Sequence, residues 1–149
     1  MPGSPPVQPV RIGWRERVAL PGLRVRGMLA KADTGARTGA IDVVAFEELP
    51  GGRVRFDVAL SRGDRSRVRT LEAAVSRRSA VKSAHGGTQH RLFIETTLVL
   101  AGVTKTIELS LAKRADLRHR LLLGRAALAP EFLVDSGQTF LVSKPHPHA

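Results

Sequence analysis

Hydrophobic positions recur at every second residue through much of this chain. In Arg53 to Leu60, Val54, Phe56, Val58 and Leu60 fall on one face, and Arg53, Arg55 and Asp57 on the other. That is the pattern of a strand with one buried side. Leu92, Ile94, Thr96, Leu98 and Leu100 alternate in the same way, Gly102 turns the chain, and Ile107, Leu109 and Leu111 share the face of a partner strand. Weaker patterns predict strands over Arg11 to Leu20, Val25 to Ala32, Ala40 to Leu49, Val68 to Val75 and Ala80 to Ser83. Pro21-Gly22, Pro50-Gly51-Gly52 and the polar stretch Ser61 to Arg67 separate them, and Ala84-His85-Gly86-Gly87-Thr88 reads as a hairpin tip. Leu121-Leu122-Leu123 is a short, wholly apolar run ending at Gly124-Arg125. Ala126 to Ala129 fits one or two helical turns before Pro130 interrupts. Phe132 to Val134 and Thr139 to Val142 are expected to close the domain as short strands turned at Ser136-Gly137. The sum is nine or ten strands and at most one short helix, an all-β barrel or sandwich.

Composition narrows this only a little. A chain of 149 residues with 42% hydrophobic positions supports one domain with a real core. We expect that domain over residues 11–142, with flexible tails at 1–10 and 143–149. The absence of cysteine excludes disulfides, thiolate metal sites and cysteine nucleophiles. No apolar run approaches the length of a membrane span, and the first residues lack the pattern of a signal peptide. A cytoplasmic protein without a membrane partner is the expectation. The formal charge of +11, carried by 24 Lys and Arg against 13 Asp and Glu, would attract a polyanion. Solvated arginines are the plainer reading of it. With no tyrosine and one tryptophan, a platform for stacking bases is poorly supplied, which argues against nucleic acid.

Chemistry enters at Lys31-Ala32-Asp33-Thr34-Gly35-Ala36, where an apolar strand ends in a tight loop that presents one carboxylate. An Asp and a Thr beside a Gly are also ordinary turn residues. Some ninety residues later comes Leu122-Leu123-Gly124, followed by Arg125 and the short helix. In this order, with a glycine-rich hairpin between, the pair resembles the retropepsin-like aspartic peptidases. Ile12-Gly13-Trp14-Arg15-Glu16, Ala19-Leu20-Pro21, Ala30 to Thr38 and Leu122 to Arg125 are similar to one bacterial and archaeal subgroup. That subgroup is labelled "ATP-dependent zinc protease" and is associated with an ATP-grasp ligase that adds glutamates to a ribosomal protein. One departure is visible: the subgroup has serine-alanine-leucine-histidine where this chain has Gly39-Ala40-Ile41-Asp42. The zinc and ATP of the label find no counterpart in ligand-spaced histidines or a phosphate loop, so no metal or cofactor is expected.

The resemblance implies a closed all-β retropepsin-like barrel with one short helix near the C-terminus. It also implies hydrolysis of a peptide bond by a water held between two Asp33 carboxylates, one from each subunit of a homodimer. Thr34, Gly35 and Ala36 would shape the loop, Leu123 and Gly124 would pack beneath it, and Arg125 would be held by a carboxylate. The hairpin tip around His85, Gly86 and Gly87 would be a flap over substrate. Asp42, Asp57 and Asp135 are the candidates for a second carboxylate within one chain. Lys31 and Arg37 flank the loop and suggest an acidic or glutamate-rich peptide. Two alternatives stand beside this: a non-catalytic adaptor for the glutamate ligase, and a basic ribosome- or RNA-binding protein.

Overall fold

In the folded chain the strongest alternation becomes a strand whose Val54, Phe56 and Val58 are at most 1% exposed while Arg53 and Arg55 face solvent. The computed structural model describes residues 8–82, 86–113 and 118–146. Within them run β1 (Val10–Leu20), β2 (Val25–Ala32), β3 (Gly39–Leu49), β4 (Arg53–Ala59), β5 (Val68–Ala74) and β6 (Arg77–Lys82). They are followed by β7 (Thr88–Leu100), β8 (Val103–Ala112), β9 (Leu121–Leu123), the one α-helix α1 (Arg125–Leu128) and β10 (Phe132–Thr139).

Six of these strands close a barrel in the order β1-β2-β9-β3-β8-β7. The Ala19–Val99 pairing brings β7 back to β1. The long hairpin β7–β8 supplies much of the wall, and its turn places Ala101 and Gly102 at positive φ. Inside, Leu20, Ile41, Ile94, Leu98, Leu109 and Leu121 are wholly buried. They come from β1, β3, β7, β8 and β9, so the core ties five of the six wall strands together, the usual filling of a small barrel. The all-β expectation of a closed barrel therefore holds, with a short helix after β9. Three strands lie outside the ring. β10 runs parallel to β1, β6 extends β7, and β4 with β5 forms a hairpin arm on the far half of β3.

Two boundaries differ from the sequence reading. β6 is Arg77–Lys82 rather than Ala80 to Ser83, because Arg77, Arg78 and Ser79 pair with Phe93, Leu92 and Arg91. Near the C-terminus, Phe132–Thr139 is one strand with an irregularity, not two strands turned at Ser136-Gly137. Asp135 accepts the Gly137 N–H at 2.9 Å, which absorbs the turn-forming residues into a local loop within the pairing to β1. Leu141 and Val142 are not strand. Their N–H groups, with that of Gly13 and the Ser143 hydroxyl, donate to the buried Glu16 carboxylate. Ser143 and Pro145, assigned from sequence to the tail, are held to β1 through the Arg17 backbone N–H and side chain.

Candidate active site

The Asp33 loop exists because β9 is threaded between the two strands that the loop joins. Leu121 to Leu123 pair in parallel with Ala30 to Ala32 of β2, and Leu121 and Leu122 pair antiparallel with Ile41 and Ala40 of β3. The chain leaving β2 must therefore pass over the end of β9 to reach β3. Residues 33–38 make that passage. Asp33 N–H donates to the Leu123 carbonyl at 2.8 Å, and Ala36 N–H to the Asp33 carbonyl at 3.2 Å. Helix α1 grips the far side: Arg125 N–H donates to the Ala36 carbonyl at 2.8 Å and Ala126 N–H to the Arg37 carbonyl at 3.0 Å. The first turn of α1 thus spends its otherwise unpaired N–H groups on the loop.

Glycine is required where these pieces meet. A Cβ on Gly124 would sit 2.7 Å from the Arg37 carbonyl oxygen, and one on Gly39 would overlap the Leu122 carbonyl. Leu123 is buried beneath the loop, as the resemblance implies. Arg125 departs from that implication. Its guanidinium donates to the backbone carbonyl of Thr34 at 2.9 Å, not to a carboxylate. The outcome for the loop is the same, because a peptide carbonyl inside the turn takes the guanidinium's hydrogen bond and fixes Thr34.

Asp33 itself is half-buried, and its Oδ1 accepts the Gly35 N–H at 3.1 Å. This ties the carboxyl to the loop's own backbone at the end of β2, between the exposed cations Lys31 and Arg37. The three acids considered as partners within one chain are all engaged elsewhere. Asp42 is wholly buried and receives Arg65 and Arg120. Asp57 accepts the Thr70 hydroxyl on the β4–β5 arm at 2.6 Å, and Asp135 pairs with Arg11 at 3.0 Å. Among the described residues, no three His, Cys, Asp or Glu side chains are grouped to hold a metal ion.

A cavity of about 220 Å³ is lined by Ala40, Leu111, Leu122 and Phe46 together with His90, Arg91 and Lys113. Its Leu122 is next in sequence to Leu123, whose carbonyl accepts the Asp33 N–H. Gly86 and Gly87, at φ 82° and 85°, lie between the paired ends of β6 and β7, at the tip of the expected hairpin. Ala84 and His85 lie outside the described residues.

The Asp33 loop, the Leu122-Leu123-Gly124 strand end and the six-stranded barrel all lie within residues 11–145, which match a known family. That family is described as "RimB-like: Retropepsin-like aspartic endopeptidase RimB". The chain belongs to this RimB-like family. Curated relatives carry the name "Probable alpha-L-glutamate ligase". The one from Shewanella pealeana is 32% identical over 136 residues, 89% of this chain and 30% of its own length. The one from Parasynechococcus marenigrum is 35% identical over 127 residues, 83% of this chain and 27% of its own length. The chain thus spans under a third of the curated relatives it matches. A crystal structure of a Legionella pneumophila protein of unknown function superposes with a TM-score of 0.74 at 24% identity, covering 91% of this chain and all of that one. It shows the shared fold.

Two features of this RimB-like chain were not foreseen from its residues. Glu16 was noticed only as part of a resembling string, and its clamp on residues 141–143 needs the fold to appear. His119, one of five histidines, carries no sequence motif that marks it. It is 5% exposed, its Nε2 accepts the Arg15 Nε–H at 3.1 Å, and its ring meets Trp14 edge-on. Burial, then the charges of Arg15, Lys31, Arg118 and Arg62, pull its pKa below the usual 6.5.

Proposed function

We propose that this chain is one half of an aspartic peptidase, and that two copies bring their Asp33 loops together. The observation that carries the reading is the engagement of Asp42, Asp57 and Asp135 away from the loop, while the Asp33 carboxylate, at the end of β2, takes the Gly35 N–H. The chemistry needs two carboxylates sharing one proton, so that one is base and the other acid at the same pH. A two-fold axis through the loop supplies the second one from an identical chain.

In that dimer the ionised Asp33 takes a proton from the water between the two. The protonated Asp33 donates to the carbonyl oxygen of the scissile peptide as the water oxygen attacks its carbon. Collapse of the tetrahedral intermediate then breaks the C–N bond, with the proton passing to the leaving amine. The cavity beside Leu122 would take a substrate side chain, and the Gly86-Gly87 hairpin would cover the extended peptide. Lys31, Arg37 and the cavity's Arg91 and Lys113 favour acidic residues, in keeping with relatives named for a glutamate ligase. A working link to such a ligase is part of this proposal.

Asp33→Asn tests it. Hydrolysis of a glutamate-rich peptide should disappear while the melting temperature and sedimentation as a dimer stay unchanged. Full activity in that variant, or a monomer at every concentration, would refute the proposal.

A further inference from the structure

A second cavity, of about 760 Å³, lies away from the Asp33 loop. Eight arginines line it, and no acidic or aromatic side chain does. Arg24 and Arg26 come from the start of β2, Arg62 and Arg67 from the loop after β4, and Arg118 from the approach to β9. These are three separate stretches of sequence, each unremarkable in an arginine-rich chain. Only the fold gathers them.

The cavity is built rather than incidental. Arg120, which lines it, pairs with the buried Asp42, which also receives Arg65 from the loop after β4 and donates its own N–H to the Arg120 carbonyl at 2.9 Å. The loop is closed by Leu60 N–H donating to the Arg67 carbonyl at 2.9 Å. Of the eight arginines, Arg120 is the only one with a carboxylate at ion-pair distance among the described residues. Arg17 donates to the carbonyls of Gly27 and Pro145, and Arg69 to that of Arg24, which fixes their direction without neutralising them. Arg62 and Arg118 also appear among the cations that disfavour a proton on His119, so the region is electropositive beyond the cavity wall. Like charges held together in a concave wall repel one another, and a bound polyanion relieves that repulsion.

The geometry points to a docking site for an acidic polypeptide segment, distinct from the Asp33 loop. Guanidinium forks match carboxylates two bonds at a time. A concave wall without aromatic side chains suits a carboxylate-bearing chain better than stacked bases. The site is also in line with the catalytic loop. Leu29, at the cavity edge, stands four residues before Asp33 on β2, about 13 Å along an extended strand, with Lys31 between them. For that alignment the inference rests on the peptidase reading: the cavity would hold the acidic flank of a substrate whose cleaved bond lies at Asp33. The docking itself stands without it.

The experiment measures binding of fluorescein-labelled hexaglutamate by anisotropy in the Asp33→Asn chain, so that no hydrolysis enters. The peptide should bind, and combined Arg26→Ser, Arg62→Ser and Arg67→Ser should weaken it about tenfold or more and flatten its salt dependence. Removing three charges elsewhere, by Arg53→Ser, Arg55→Ser and Arg78→Ser, should leave affinity within about twofold. The cavity variant should melt no lower than its parent, because it loses repulsion rather than contacts. If it does not fold, single Arg62→Ser and Arg67→Ser variants carry the same comparison. No binding, or equal weakening by both sets of substitutions, would overturn the inference. So would tighter binding of a single-stranded RNA of equal charge that the cavity variant loses. Loss of hydrolysis in every assay with binding intact would count against the peptidase reading alone.

Discussion

Glu16 takes more hydrogen bonds than any other carboxylate described, and its removal strands the donors. With the side chain cut to alanine, Gly13 and Leu141 keep N–H groups that have lost their acceptor in a largely buried place. Glu16→Ala should cost about 3 kcal/mol and expose the chain beyond Phe140 to proteolysis, read by chemical denaturation and limited digestion. Asp42→Ala leaves Arg120 as a buried charge beside a vacancy and should cost about 3–5 kcal/mol. Replacing the group as a set, with Asp42→Leu, Arg120→Met and Arg65→Leu, should recover most of that loss, because the ions offset little more than their own desolvation. Gly124→Ala pushes a methyl against the Arg37 carbonyl and should cost about 1–3 kcal/mol. Peptidase activity should fall further than stability, since the loop that moves carries Asp33.

His119 gives a pH prediction of definite sign. Its folded pKa lies below the usual 6.5, so just under that pH the unfolded chain binds a proton that the folded chain refuses. Stability therefore rises with pH through this window and is lost on acidification. Burial of the imidazole is the largest cause, and the charge of Arg15 adds to it: a proton on Nε2 would face the Arg15 N–H that Nε2 now accepts. His119→Gln should flatten the slope of denaturation free energy between about pH 5 and 7, while an unchanged slope would assign it to other groups.

At the scale of elements, the sequence was legible wherever one pattern acted alone. Val54, Phe56 and Val58, and the Leu92 to Leu111 hairpin, have a period of two and one buried face, so their strands could be read directly. The end of the chain was less legible because Ser136-Gly137 carries turn chemistry that the fold uses inside a strand. β9 is the instructive case. Three leucines give no period, and what marks them is the glycine that follows, which lets the Arg37 carbonyl approach. The Asp33 loop was therefore readable as a site only together with Leu122-Leu123-Gly124. The bond from Arg125 to the Thr34 carbonyl was not, since any acceptor in reach of the guanidinium would have served. Residues far apart in sequence, such as Arg26, Arg62 and Arg118, leave no local signal of the cavity they share.

For the whole molecule, the formal charge of +11 is unevenly placed, with eight arginines gathered around one cavity away from the candidate catalytic loop. A polyanionic substrate would thus be met by two surfaces on one strand, the arginine cavity at the start of β2 and Asp33 just beyond its end. Barrel, loop and helix present a single carboxylate per chain, and the central claim is that two chains make one site. The most direct measurement co-refolds wild-type chain with Asp33→Asn in varied proportion and follows hydrolysis of a glutamate-rich peptide. If each site takes one Asp33 from each subunit, an equal mixture keeps about a quarter of the wild-type rate at constant total protein, and activity follows the square of the wild-type fraction. A rate that stays at about half, linear in the wild-type fraction, would mean that each chain works with its own Asp33 alone and would contradict the account.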